Sequence, residues 1–156
     1  MLTVDDVRGI ALFASLSEAE LGRVAETAAD IHLAPGEWAV PEGGERAIYG
    51  VVAGKIEVVK RIDGVERTLG WRVPGTMFGE VPITLGSPFP GGYRAAEPSR
   101  VLRLDPSQYY AIAAATPDVA LKVAALARER IGGLQSIAAE RPKPRATILG
   151  NRWDAA

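Results

Sequence analysis

Between Ile31 and Leu104 the chain never runs far without a break. Pro35-Gly36, Gly43-Gly44, Ala53-Gly54, Asp63-Gly64, Pro74-Gly75 and Glu97-Pro98-Ser99 follow one another at short intervals. Breaks this close leave room for β-strands of roughly 4–8 residues and exclude helices of ordinary length. Asp63-Gly64 lies between Ile56-Glu57-Val58-Val59 and Val65-Glu66-Arg67-Thr68-Leu69, which is a type I′ hairpin signal. Short strands in succession, with no crossover helix between them, predict an antiparallel β jelly roll or barrel.

Helical signals flank this region. Thr3 can cap a segment from Val4 to Leu12, and Ser17 with Glu20 forms a capping box opening Glu18 to Ala29. On the far side Asp105 caps and Pro106 takes the first helical position, an arrangement that Thr116 and Pro117 repeat. A final helix from about Asp118 to Ala139 carries an apolar stripe of Val119, Val123, Leu126, Leu134 and Ile137. Gly132-Gly133 is predicted to weaken its middle. The fold class is therefore mainly β with flanking helices: a jelly roll with N-terminal helices and a C-terminal helix pair.

The 156 residues suit one domain with short extensions. We place that domain at 1–140, followed by a proline-containing linker and the start of a further domain at 141–156. Eighteen Lys and Arg against 19 Asp and Glu leave no basic footprint, which argues against DNA binding. The chain has no cysteine, which removes thiolate chemistry and suits a reducing cytoplasm. No apolar run approaches the ~18 residues of a membrane span. His32 is the only histidine, too few for the imidazole cluster of a cupin-type metal centre, and reads as a strand or surface residue. Neither a metal site nor catalysis is expected within this chain. Trp38, Trp71 and Trp153 read as packing residues.

The chemistry concentrates between Phe78 and Ala96. Gly79 precedes a short helical segment, Glu80 to Leu85, and Arg94 follows on the next strand. A glycine lets a ligand approach the backbone, and a first helical turn offers free amides to an anion. A guanidinium adds a charge-assisted bond to phosphate, whereas a carboxylate is acceptor-only and suits a sugar hydroxyl. Together these residues describe a site for a phosphorylated sugar. Each also has a structural alternative: Gly79 as a turn glycine, Glu80 as a first-turn acid, Arg94 as an exposed strand residue. The stripe on the last helix reads either as core or as a dimer interface.

Leu12-Phe13-Ala14-Ser15-Leu16-Ser17, Tyr49-Gly50-Val51-Val52-Ala53-Gly54-Lys55-Ile56, Phe78-Gly79-Glu80 and Arg94-Ala95-Ala96 together resemble the cyclic-nucleotide-binding domain family over about Leu12 to Ile137. The resemblance implies a ligand site of Phe78, Gly79, Glu80, Val81, Pro82, Arg94, Ala95 and Ala96, with Leu69 and Gly70 near the ribose and base. Glu80 would take the ribose 2′-hydroxyl and Arg94 the phosphate. Two features depart from the family pattern. Glu80 and Arg94 lie 14 residues apart, more than is usual there, and Pro82 lacks an amide donor. The lost donor predicts a weakly held cyclic nucleotide, and cAMP is favoured over cGMP. The alternative is a domain of the same fold that binds no nucleotide and serves dimerisation or docking. A homodimer would form through Asp118–Ala139.

Arg141-Pro142-Lys143-Pro144 reads as a stiff linker. Arg145 to Asp154 resembles the junction of flavoproteins that join such a domain to a thioredoxin-reductase-like module. FAD and NADPH would enter only with that module, as would any disulfide-reductase activity.

Overall fold

The computed structural model of the protein describes residues 1–140, and among them the turn-rich middle forms eight strands. These are β1 (Ala29–Leu33), β2 (Trp38–Val40), β3 (Ile48–Ala53), β4 (Ile56–Ile62), β5 (Val65–Arg72), β6 (Met77–Phe78), β7 (Gly92–Ala95) and β8 (Ser99–Leu104). All pairings are antiparallel, in two sheets ordered β1-β8-β3-β6 and β2-β7-β4-β5. This is the expected jelly roll. Asp63 and Gly64 turn β4 into β5 with φ of 53° and 78°, the two positive angles a type I′ turn demands.

The helices are α1 (Val4–Arg8), α2 (Glu18–Thr27), α3 (Glu80–Leu85), α4 (Pro106–Ala115) and α5 (Pro117–Glu140). Capping boxes at Thr3/Asp6, Ser17/Glu20 and Asp105/Gln108 start three of them. α1 is shorter than its expected run to Leu12. It ends at Gly9, and Ile10 turns extended (φ −84°, ψ 122°) to bury its side chain against Gly50 before a 3-10 turn at Ala11–Phe13. α2 stops at Thr27 because Ala29 already pairs with Arg103 in β1. α5 passes through Gly132–Gly133 without a break.

Two cores result. Leu33, Tyr49, Val51, Ile56, Phe78, Phe89 and Val101 fill the space between the sheets. Ile10, Phe13, Leu21, Val24, Leu102, Leu104, Val119 and Val123 join the helices to the other face of the first sheet. The two-residue period of β8 divides its side chains between them, Val101 to one core and Leu102 and Leu104 to the other.

This arrangement corrects two expectations. Val119 and Val123 are fully packed on the chain's own body, and each such burial contributes about 1.5–3 kcal/mol, so this part of the stripe is core rather than a dimer interface. The side chains of Leu134 and Ile137 lie outside those described, as do the linker, the segment after it and Trp153. Trp38 and Trp71 are not core residues. They stand 39% and 46% exposed on the outer face of the second sheet, beside Arg94 and Lys55 respectively. None of the described helices is long and apolar enough to cross a membrane.

Candidate functional site

A cavity of about 240 Å³ opens between the second sheet, α3 and α5. Val58 and Lys60 of β4, Leu69 of β5 and Tyr93 of β7 form one wall. Gly79, Glu80, Val81 and Pro82 form the second, Pro90 and Gly91 close an edge, and Arg130 of α5 completes the enclosure.

Gly79 determines how the site is aimed. Its φ is +103°, and a Cβ there would lie 2.0 Å from the Ala47 carbonyl oxygen, so the close packing of β6 against β3 requires glycine. This left-handed turn carries the chain into α3 and directs Glu80 inward, where it is 2% exposed. Glu80 Oε2 accepts a 2.8 Å bond from Arg130 Nη1, while Oε1 is buried without a partner among the described residues. α3 packs directly on α5 at this point.

Arg72 and Tyr93 lie behind the pair. The Arg72 guanidinium sits 5.8 Å from the Tyr93 ring centre, and its Nε has no partner among the described residues. Burial lowers the Arg72 pKa from its ordinary value, and the nearby Arg130 cation adds to the effect while Glu80 opposes it. Burial raises the Tyr93 pKa, keeping the phenol neutral. The Lys60 ammonium is bound to the Pro90 carbonyl at 2.7 Å and to Glu42 at 3.3 Å. The cavity wall therefore carries one guanidinium–carboxylate pair, Arg130 with Glu80, and the tied Lys60 ammonium among mostly apolar residues.

Of the residues expected from sequence, the structure brings Leu69, Gly79, Glu80, Val81 and Pro82 to the cavity. It does not bring Arg94 there. Side chains of β7 alternate, and Tyr93 points inward to stack on Phe78 at 4.2 Å, so Arg94 points outward. There it bonds Glu57 at 3.0 Å and Glu66 at 3.1 Å and lies 4.9 Å from the Trp38 ring centre. These bonds, chiefly the one to Glu57, raise its pKa further. Phe78 is core, stacked between Tyr49 and Tyr93. Ala95 is buried between the sheets, with its amide bonded to the Glu37 carbonyl, and Ala96 is exposed. Gly70 lies in β5 opposite Val58 of the cavity wall but does not itself line the cavity. The long Glu80–Arg94 spacing also has a structural cause: the loop before β7 tucks Phe89 into the inter-sheet core, edge-on to Tyr49 and Tyr93.

Arg130 was not singled out from sequence, although a signal existed. Val119, Val123 and Ala127 are buried at four-residue steps, and Arg130 continues the same face, placing a cation where a further apolar residue would fit. His32 lies on β1, 3.4 Å from Asp30.

Fold and cavity together define a jelly-roll domain with an internal cavity bordered by α3 and by Arg130 of α5. The family model for the cyclic nucleotide-binding domain matches residues 30–116, and the chain belongs to that family. Among solved structures it is similar to the catabolite activator protein of Thermus thermophilus, at 26% identity and a TM-score of 0.73 over 83% of this chain and 62% of that one. The regulatory domain of Toxoplasma gondii PKA, solved with cAMP, matches at 25% identity and a TM-score of 0.62, covering 70% and 42%. The sensor domain of the Pseudomonas aeruginosa transcriptional regulator DNR shares the fold at 20% identity and a TM-score of 0.69, covering 89% and 93%. The chain thus spans less than two thirds of the first two proteins. No curated protein sequence matches at a significant level.

Proposed function

We propose that the domain is a regulatory module that holds a cyclic nucleotide, cAMP ahead of cGMP, in the Glu80 cavity and answers through α5. The observation that carries this reading is the Glu80–Arg130 bond, because it makes one side chain of α5 part of the cavity wall. A ligand there touches the helix that leads out of the domain. Regulation then requires the ligand to bind two states of α5 with different affinity, and a coupling of about 1–3 kcal/mol is typical.

Binding is weak on this reading. Pro82 withholds one amide, which costs about 0.5–1.5 kcal/mol, and Arg94 is engaged on the opposite side of its strand. The regulated neighbour, by the resemblance of residues 145–154, is a thioredoxin-disulfide-reductase-like module that would supply FAD and NADPH. Isothermal titration of the chain with cAMP and with cGMP tests the ligand. Saturable one-site binding, tighter for cAMP, is expected, and no saturable heat from either nucleotide overturns it. For the neighbour, the full-length protein is assayed for NADPH-dependent disulfide reduction with and without cAMP, and unchanged turnover despite binding counts against regulation.

A second reading has its own observation. Arg94 is captured by Glu57 and Glu66, and one oxygen of Glu80 by Arg130, so both charged side chains singled out in the 78–96 segment are already paired. That favours a docking domain without nucleotide, whose association behaviour would be the same with or without cAMP.

A further inference from the structure

We propose that the outer face of the second sheet is a self-association surface, on which a second copy of this chain docks face to face across a two-fold axis. This face lies on the opposite side of the sheet from the Glu80 cavity, and its docking does not depend on what fills that cavity.

Four side chains form one row. Trp38 of β2 pairs with Arg94 of β7, Arg94 with Glu57 of β4, and Glu57 with Trp71 of β5. Residues directly opposite one another in neighbouring strands share a face. The four therefore stand in line across the whole sheet as Trp–Arg–Glu–Trp, roughly 14 Å from end to end. Their contacts lie on that common side. Arg94 bonds Glu57 at 3.0 Å and sits 4.9 Å from the Trp38 ring centre. Lys55, two residues before Glu57, sits 4.4 Å from the Trp71 ring centre.

The order of the row selects the occupant. A two-fold axis parallel to the strands, between β7 and β4, reverses it. Trp38 then meets Trp71 of the second copy, and Arg94 meets Glu57 of the second copy. The two ion pairs close into one quartet of alternating charge, with no charge of the row against its like. A row ordered Trp–Arg–Trp–Glu would not complement itself in this way. Beside the row, Lys55 and Arg94 are matched by Glu57 and Glu66, so the copies approach without a large net charge.

Both indoles are held before they are used. Trp38 lies over Gly92, where a Cβ would come within 2.5 Å of its ring, and Lys55 covers Trp71. Both remain exposed. Anchors fixed in advance lose little freedom on association, and Trp and Arg are the residues that most often dominate interface energies. Four short strands offer only roughly 300 Å² of face per copy, against about 800 Å² in a standard interface, so the dimer is a weak one.

Sedimentation equilibrium of the chain from about 10 µM to about 1 mM reads the association, with circular dichroism to check the fold of each variant. The wild type is expected to dimerise reversibly in the upper part of that range. Arg94→Glu makes the charges of the row wholly acidic and Glu57→Arg makes them wholly basic, so each alone should associate at least about tenfold more weakly. Mixed in equal amounts, the two variants should pair with each other at close to the wild-type strength, because a basic row then faces an acidic one. If either reversal fails to fold, Trp71→Ser replaces it and should also weaken association by about tenfold or more. A chain that stays monomeric at the highest concentration overturns the proposal and leaves the face to a partner of another kind. Dimerisation of unchanged strength in the variants also overturns it, because the interface then lies elsewhere. So does a mixture of the two folded charge variants that associates no better than either alone.

Discussion

Arg94 and Arg130 each meet carboxylates, on opposite sides of the same sheet, in very different surroundings. Arg94, 25% exposed, spreads over Glu57, Glu66 and the Trp38 ring on the outer face of the sheet, where the carboxylates are 17% and 43% exposed. Arg130 meets a single carboxylate that is 3% exposed, at the mouth of a cavity. Exposed ion pairs contribute about 0–1 kcal/mol because water solvates either partner when the other is lost. A buried carboxylate that loses its cation has no such refuge. The outer arginine thus keeps a part-exposed second carboxylate, Glu66, beside the part-buried Glu57, whereas the inner pair ties α3 to α5 through a buried carboxylate.

The largest expected effect bears on how firmly the inner site is built. Gly79→Ala adds a Cβ 2.0 Å from a backbone oxygen at a φ of +103°, and should cost at least about 3 kcal/mol by thermal unfolding. A harmless Gly79→Ala would mean that this turn does not fix Glu80. Arg130→Ala comes next. Removing the cation from a buried carboxylate costs about 3–5 kcal/mol, and the partial exposure of Arg130 reduces this to about 2–3. At about 2–4 °C per kcal/mol, Tm should fall by roughly 4–12 °C. Arg94→Ala is the control on the outer face, with an expected cost below about 1 kcal/mol. Equal costs for the two arginines would erase the distinction.

Much of this was legible in the chain. The breaks between Ile31 and Leu104 define the strands, and the three capping boxes start helices where Thr3, Ser17 and Asp105 stand. Gly79 and Glu80 are marked by their place before a short helix. Arg94 was misread because a motif gives residue types, whereas the pleat decides which side each one faces. Tyr93 beside it takes the inward position, against Phe78. The Glu80–Arg130 bond joins residues 50 positions apart on separate helices, and no local pattern encodes such a meeting. Its one trace is a cation on the apolar face of α5.

The smallest effect sharpens the comparison through pH. The Glu57 pKa is lowered, first by the Thr68 hydroxyl and then by Arg94, against the opposing effect of burial. A lowered folded pKa gives stability that is present above the unfolded value of about 4.3 and lost as pH falls through the folded one. Glu57→Gln should therefore lower stability slightly near neutrality and flatten the acid limb, so that its difference from wild type shrinks as pH falls below about 4. An unaltered acid limb would mean that the outer pair contributes nothing to folding.

The central claim is that ligand in the cavity reaches α5 through Arg130. Amide hydrogen exchange over residues 117–133, with and without saturating cAMP, tests it most directly. The account predicts that cAMP slows exchange along this part of α5 in the wild type and that the effect disappears in Arg130→Gln at equal occupancy. Slowing of the same size in Arg130→Gln, or a change confined to the β4–β5 hairpin, would contradict it.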